Sequence, residues 1–366
     1  MEFTIEKEKL LKNLGMIQGV CGRKLVVPIL AMLYIKADED GTVSFQGTDL
    51  EIWLKGMVKA EVKEAGIATV NAKKLFELVK EFPEAPIKIK TNDKGGVTVK
   101  CGKSAWKFNG MEPSEFPVVA ETQCTFLDID SKFFKELVEK TSFAASNEPY
   151  KFNINGVFIV CEEGIIRMVA TDGKRLALAE KEGAVVGLET GVLIPKSGLQ
   201  EVSKSIEGGK LQIGFDQLQG LSFFKSGDAL VAIRLPTDVD FPNYKRIVPT
   251  GEEPSILVDK ATLYGPLKRM SILTNEKNES IKATLKDHSI TFEVVDKEFG
   301  EGTEEADLDY TGETIVMGFN VNHLIEILDH VVGNKISLKI SGAKKPVLIS
   351  PEKTNDQLYV IMPMKV

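Results

Sequence analysis

The chain has 366 residues, enough for two or three domains, with an ordinary balance of 43% hydrophobic and 27% charged residues. A net charge of −7 excludes a uniformly basic nucleic-acid binder, so what matters is where the 46 basic residues lie. The longest apolar run, 25–35, is broken by Pro28 and falls well short of the about 20 residues of a membrane span.

Met1 to Lys9 is too charged for a secretory signal. The four cysteines, Cys21, Cys101, Cys124 and Cys161, are scattered without a CxxC pair and read as reduced thiols of a cytoplasmic protein. Residues 2–5 form a short strand, followed by a helix over 5–14. Alternating strands are expected over 31–37, 43–46 and 97–101, with turns at Asp40-Gly41 and Gly95-Gly96. A helix over 71–82 has Asn71 to cap it. Leu75, Val79 and Phe82 lie on one face, and Lys73, Lys74, Glu77 and Lys80 on the other.

The same pattern then returns. Segments 195–206 and 320–331 match the helix over 71–82, and aligning Leu75, Leu199 and Leu324 gives steps of 124 and 125 residues. Helices over 130–139 and 259–268, opened by Asp130 and Asp259, match the first helix, and each follows a short strand (125–129, 255–258). Further strands are expected over 156–161, 165–170, 211–215 and 221–225, then over 281–285, 289–294, 336–340 and 347–350. The chain thus reads as an α+β protein of three repeated domains, 1–122, 123–250 and 251–366, each with two helices packed on antiparallel sheets.

One hairpin stands out. The apolar run 165–170 enters a turn in which Thr171 and Asp172 offer acceptors and Gly173 supplies the left-handed position. A weaker copy, Gly47-Thr-Asp-Leu-Glu51, lies 123 residues upstream, and the Lys174-Arg175 pair is more than a plain turn requires.

Catalytic signatures are missing. His288, His323 and His330 lack metal-ligand spacing, and no HExxH, GxSxG or CxxC occurs. Gly96 to Ser104 imitates a phosphate-binding loop, but five residues rather than four separate its glycines and the stretch is strand-like. The acidic run 296–309 lacks the register of a calcium loop and reads as a solvated hairpin or connecting loop. No enzyme activity, metal or cofactor is expected; a binding or scaffolding role is. The helices carry lysines in clusters, Lys9 with Lys12, Lys73 with Lys80, Lys132 with Lys135, Lys196 with Lys204, and Lys260 with Lys268-Arg269. Presented on one concave side, such patches would suit sequence-independent contact with a phosphate backbone.

Over its whole length the chain resembles the bacterial DNA polymerase III β subunit family, the replicative sliding clamps. The marks are Val27-Pro28-Ile29-Leu30, Gly47-Thr48-Asp49-Leu50-Glu51, Ala170 to Ala177, Asp240-Phe-Pro-Asn-Tyr244 with Arg246, and the terminal Tyr359 to Val366. The resemblance implies a DNA-clamp fold and a ring-shaped, head-to-tail homodimer. Such a ring encircles double-stranded DNA and serves as a processivity factor without chemistry of its own. It also implies a groove for short peptides of the replicative DNA polymerase, the clamp loader and other partners. Carried over by position, that groove uses Ile154, Thr171, Gly173, Arg175, Leu176, Pro242, Arg246 and Ile247. Pro346, Val360, Met362, Pro363 and Met364 complete it. Ring closure would use Lys74, Trp106 and Phe108 against Ile272 and Leu273. DNA would meet Arg23, Lys24 and Lys151, with Lys12, Lys73, Lys135 and Lys196 of the basic clusters. Glu148 stands where the family often has an uncharged polar residue, and Lys174 occupies a variable position on the groove's rim. The competing reading is a repeat scaffold that gathers peptide-bearing proteins, with neither loader dependence nor retention on DNA.

Overall fold

The structure, a computed structural model, describes all residues except 24–25, 93–94, 120, 123, 149, 152, 184–187, 189, 207, 217, 238, 249–254, 276–278 and 366. The first repeat runs β1 (Glu2–Ile5), α1 (Lys7–Ile17), β2 (Met32–Ala37), β3 (Thr42–Thr48), β4 (Ile52–Lys59), β5 (Glu61–Glu64), β6 (Gly66–Asn71), α2 (Ala72–Glu81), β7 (Ile87–Thr91), β8 (Val97–Cys101) and β9 (Ser104–Phe108). The second runs β10 (Leu127–Asp130), α3 (Ser131–Thr141), β11 (Gly156–Glu162), β12 (Ile165–Thr171), β13 (Arg175–Glu182), β14 (Val192–Pro195), α4 (Lys196–Ser205), β15 (Lys210–Asp216), β16 (Leu221–Ser226) and β17 (Ala229–Arg234). The third runs β18 (Ser255–Asp259), α5 (Lys260–Met270), β19 (Ser280–Lys286), β20 (Ser289–Asp296), β21 (Gly300–Asp307), β22 (Ile315–Asn320), α6 (Val321–His330), β23 (Lys335–Ile340), β24 (Val347–Pro351) and β25 (Gln357–Ile361).

At α2, α3 and α6, side-chain capping and apolar spacing agree. Asn71 accepts from Lys74 N at 3.0 Å, and Leu75, Val79 and Phe82 are buried, as the spacing predicts. Asn320 caps α6 through the amides of Asn322 and His323 at 2.9 and 3.2 Å. Asp130 accepts from Phe133 N at 2.9 Å, whereas Asp259 makes no capping bond. On α1, Leu10, Leu14 and Ile17 are fully buried, each contributing about 1.5–3 kcal/mol relative to exposure. Gly56 on β4 is required there, because a Cβ would collide with Asn13 of α1.

All strand pairings are antiparallel. Compactness does not follow the repeats. One unit comprises 1–134 and 197–237, the other 135–196 and 238–366, so the middle repeat contributes to both. The first unit holds a sheet ordered β5-β1-β7-β8-β9 and an eight-stranded sheet ordered β10-β15-β16-β17-β4-β3-β2-β6. The second holds an eight-stranded sheet ordered β14-β11-β12-β13-β25-β24-β23-β18 and one ordered β21-β20-β19-β22. Each eight-stranded sheet is made by two repeats, through β17 against β4 and through β25 against β13. The acidic run expected as a hairpin or loop is the β20–β21 hairpin, with Val294 opposite Gly302. The phosphate-loop imitation is β8, a turn and β9.

Candidate partner-binding groove

The turn between β12 and β13 is built by its own side chains. Thr171 Oγ1 accepts from Gly173 N at 3.0 Å and donates to Arg175 O at 2.6 Å. Asp172 Oδ1 accepts from the amides of Lys174 and Arg175 at 2.8 and 3.0 Å. Gly173 takes φ 88°, and a Cβ there would meet open space.

Arg175 then fastens the turn to the rest of its unit. Its Nε donates to Asp172 Oδ2 at 3.2 Å, Nη1 to the Glu326 carboxylate of α6, and Nη2 to Phe143 O at 3.1 Å. The guanidinium lies 5.2 Å from the Phe143 ring centre, and that ring stacks on His330 at 4.1 Å. His323 Nε2 stands 3.8 Å from Asp172 Oδ2. Burial, then the nearby Arg175 charge, pushes the His323 pKa below its ordinary value. Thr171 and Arg175, expected to line the groove, are buried and commit their polar groups to the turn.

Beyond the turn, β13 meets β25 with Leu176 opposite Val360, and Val360 faces Leu348 on β24. Val169, Leu176, Leu178, Tyr244, Leu348 and Val360 form one buried cluster, against which Phe158, Phe241, Ile247, Val248 and Leu358 pack. The chain end continues along the turn: Met362 N donates to Lys174 O at 2.9 Å, and Met364 N to Gly318 O on β22 at 2.8 Å. Met362 and Met364 keep 38% and 42% of their surface exposed, with Pro363 half-buried between them. Gly173 and Arg246 are exposed; Pro242, Ile247 and Pro346 are half-buried. The structure therefore brings together an apolar floor and an adaptable rim. Ile154 stands apart from the cluster, buried in the loop before β11 with its carbonyl accepting from Ser146 N at 2.9 Å. Sequence reasoning missed Leu178, Leu348 and Phe158 in the floor, though their alternation on strands was a usable signal. It also missed the Phe143 and Glu326 anchors, which no local pattern marks.

The expected DNA contacts fall on both units. Lys12 and Lys73 are exposed on α1 and α2, and Lys135 is half-buried on α3. Arg23 is engaged by protein acceptors: Glu201 at 2.6 Å, Asp49 at 3.4 Å and Gly19 O at 2.9 Å. Lys151 is paired with Glu148 at 2.9 Å. Lys196 donates to Asn147 at 3.0 Å, and burial followed by the Arg175 charge holds its pKa below the usual lysine value. Lys24 lies outside the described residues.

Trp106, 53% exposed, and half-buried Phe108 lie on β9, the edge of its sheet. Lys74 is exposed and paired with Glu77 at 2.8 Å. Ile272, 77% exposed, and half-buried Leu273 form a single 3-10 turn beside β21. No disulfide joins any of the four cysteines, and burial pushes the Cys21 thiol up to about 12. Among the described residues no group of three His, Cys, Asp or Glu is placed to hold a metal ion, and no helix is long and apolar enough to cross a membrane.

Three copies of one α+β unit, stitched by strand pairing, define a clamp-fold protein. Models of the DNA polymerase III beta subunit match this chain along almost its entire length: the N-terminal domain over residues 1–120, the central domain over 128–243 and the C-terminal domain over 245–365. The beta sliding clamp of Pseudomonas putida is 30% identical over 371 residues, with both chains fully covered. That of Vibrio cholerae is 27% identical, again with full coverage of both. The crystal structure of the DNA polymerase III subunit beta from Pseudomonas aeruginosa superposes with a TM-score of 0.94 at 29% identity, and a Bartonella birtlesii clamp bound to griselimycin with 0.93 at 26%; each covers 100% of both chains. The chain belongs to the DNA polymerase III beta subunit family. Its function is that of a DNA replication processivity factor, not an enzyme.

Proposed function

We propose that two copies of this chain close head to tail into a ring of six domains, bounded in each copy as 1–122, 123–250 and 251–366. The ring encircles double-stranded DNA, slides without sequence preference in the cytoplasm, and tethers the replicative polymerase, the clamp loader and other proteins through a short peptide held in the groove. The observation that carries this reading is a pair of unmatched edges. The last strands of the second and third repeats, β17 and β25, pair with β4 and β13. β9 is the same strand of the first repeat, and β21 is the counterpart of β4 and β13 in the third; both end their sheets. Pairing β9 of one copy with β21 of the next repeats the junction, and such a heterologous contact closes into a ring.

Charge and shape support that pairing. β9 carries Lys107, with Lys103 in the preceding turn, while β21 carries Glu301, Glu304, Glu305 and Asp307. Trp106 and Phe108 offer an aromatic anchor to Ile272 and Leu273, joined by Lys74 of the same repeat as the aromatic pair. Contacts from Lys12, Lys73, Lys135, Lys151, Lys196, Arg23 and Lys24 need only be weak, because enclosure rather than affinity retains DNA. In the groove, Ile247 and Pro242 supply apolar surface beside the buried Leu176 and Val360, and Met362 and Met364 adapt to different partners.

The test is retention. Once loaded, the protein should stay on circular DNA and run off when that DNA is cut; equal retention on both forms would contradict encirclement.

A further inference from the structure

The sheet that floors the groove continues past it. Leu178 faces Leu358 across the β13–β25 ladder. Ser350, Ser337 and Leu257 follow in line across β24, β23 and β18. This row borders a cleft of 520 Å³ whose lining includes Leu178, Leu257, Leu348 and Lys339. Leu178 and Leu348 belong to the cluster beneath the groove, so cleft and groove share a wall. Leu257 is 49% exposed. Lys339 is half-buried and makes no ion pair among the described residues. Of the two carboxylates bordering the cleft, Glu180 is held by Arg167 at 2.6 Å and Glu352 is exposed.

The matching face of the other unit shows that this is not what the fold requires. There the corresponding row is Lys55, Leu230, Lys225, Gln212 and Asp128. Asp128 accepts from Gln212 at 3.0 Å and from Lys210 at 3.3 Å. That face is an ordinary solvated sheet surface with charges on three of its five positions. Its counterpart carries three leucines and two serines and no charge in the row. An uncharged, partly exposed sheet face continuous with a binding groove is a surface kept for contact.

We infer that the outer face of β13–β25–β24–β23–β18 extends the groove. It binds, in extended form, the partner segment flanking the clamp-binding peptide. Running along the row from Leu178 and Leu358, that segment seats an apolar side chain over Leu257, and an acidic one reaches Lys339. The inference rests on the peptide groove proposed above.

Two synthetic peptides test it by fluorescence anisotropy on the intact protein. Both carry the same groove-binding core, and one is lengthened at either end by six residues containing Leu and Asp. Burying one leucine predicts about tenfold tighter binding of the longer peptide. Leu257→Lys, at an exposed position, removes that gain and leaves the core peptide's affinity unchanged. Lys339→Glu weakens the Asp-bearing peptide and restores binding when its Asp is replaced by Lys. Equal affinity of both peptides for the wild type, or a gain that survives Leu257→Lys, overturns the inference. Failure of the core peptide to bind overturns the groove itself, and the extension with it. Concentration-dependent self-association in sedimentation, lost in Leu257→Lys, assigns the face to a second copy and likewise overturns the inference.

Discussion

The two Thr-Asp turns are the same structure put to different use. In the first, Leu50 N donates to Thr48 Oγ1 at 2.9 Å, and the amides of Glu51 and Ile52 to Asp49 Oδ1 at 3.0 and 2.8 Å. The second repeats those bonds with Gly173, Lys174 and Arg175. Each aspartate also holds an arginine, Arg23 at 3.4 Å and Arg175 at 3.2 Å. The left-handed position is Leu50 (φ 73°) in one and Gly173 (φ 88°) in the other. Leu50 bears a backbone cost of about 1–2 kcal/mol, offset by packing against Ile29, Leu30, Met32 and Phe116. Gly173 packs nothing and leaves the surface open.

The adjoining strand positions diverge in the same way. Trp53 stands where Leu176 does, 123 residues apart. Its Nε1 donates to Pro117 O at 2.9 Å, Arg234 lies 5.3 Å over its ring, and Val119, Cys124 and Phe126 pack against its cluster. The first junction is filled by its own chain. The second ends in exposed methionines. On the proposed reading, closing one copy of the junction and leaving the other open would confine peptide binding to one place per chain.

The comparison can be broken at several points. Trp53→Ala should have the largest effect, a loss of about 3–5 kcal/mol in unfolding free energy. Peptide affinity should not change, because the filled junction takes no part; a weakened peptide would show that it does. Met362→Ala with Met364→Ala should lower peptide affinity about 100-fold while sedimentation still reports the dimer. Gly173→Ala should cost about 1 kcal/mol through backbone conformation alone, since its Cβ meets nothing; a neutral result in denaturant melts would dissociate the turn from its φ.

The smallest effect concerns pH, and separates the units because all three histidines lie at or after residue 288. His323 is depressed in the folded protein, so the unfolded chain takes up its proton first. The stability it confers is complete above its ordinary value near 6.5 and falls as pH drops below it. Asp172, Arg175, Glu326 and Lys174 surround it. Unfolding free energy should therefore fall between pH 7 and 5.5 in denaturant melts, and His323→Gln should flatten that profile.

Much of this was legible in the sequence, for identifiable reasons. Asn71 and Asn320 betrayed two helix starts because capping is local. The Thr-Asp turn was readable because its bonds run between residues two or three apart. Strands such as Ile52–Lys59 and Gln357–Ile361 were not, since what stabilises them is pairing with partners far along the chain. Arg175 illustrates the same limit at the site. Position marked it as a groove residue, yet its partners, Phe143 and Glu326, come from elsewhere in the chain and turn it inward. The difference between Trp53 and Leu176 was visible as letters, but its meaning required knowing that both face the same kind of junction.

The most direct test of one open and one filled junction is to titrate the wild-type protein with a groove-binding peptide carrying a photo-crosslinker and map the adducts. The account predicts one peptide per chain, crosslinked near Met362, Arg246 and Gly173. Two peptides per chain, or adducts around Trp53 and Arg234, would contradict it.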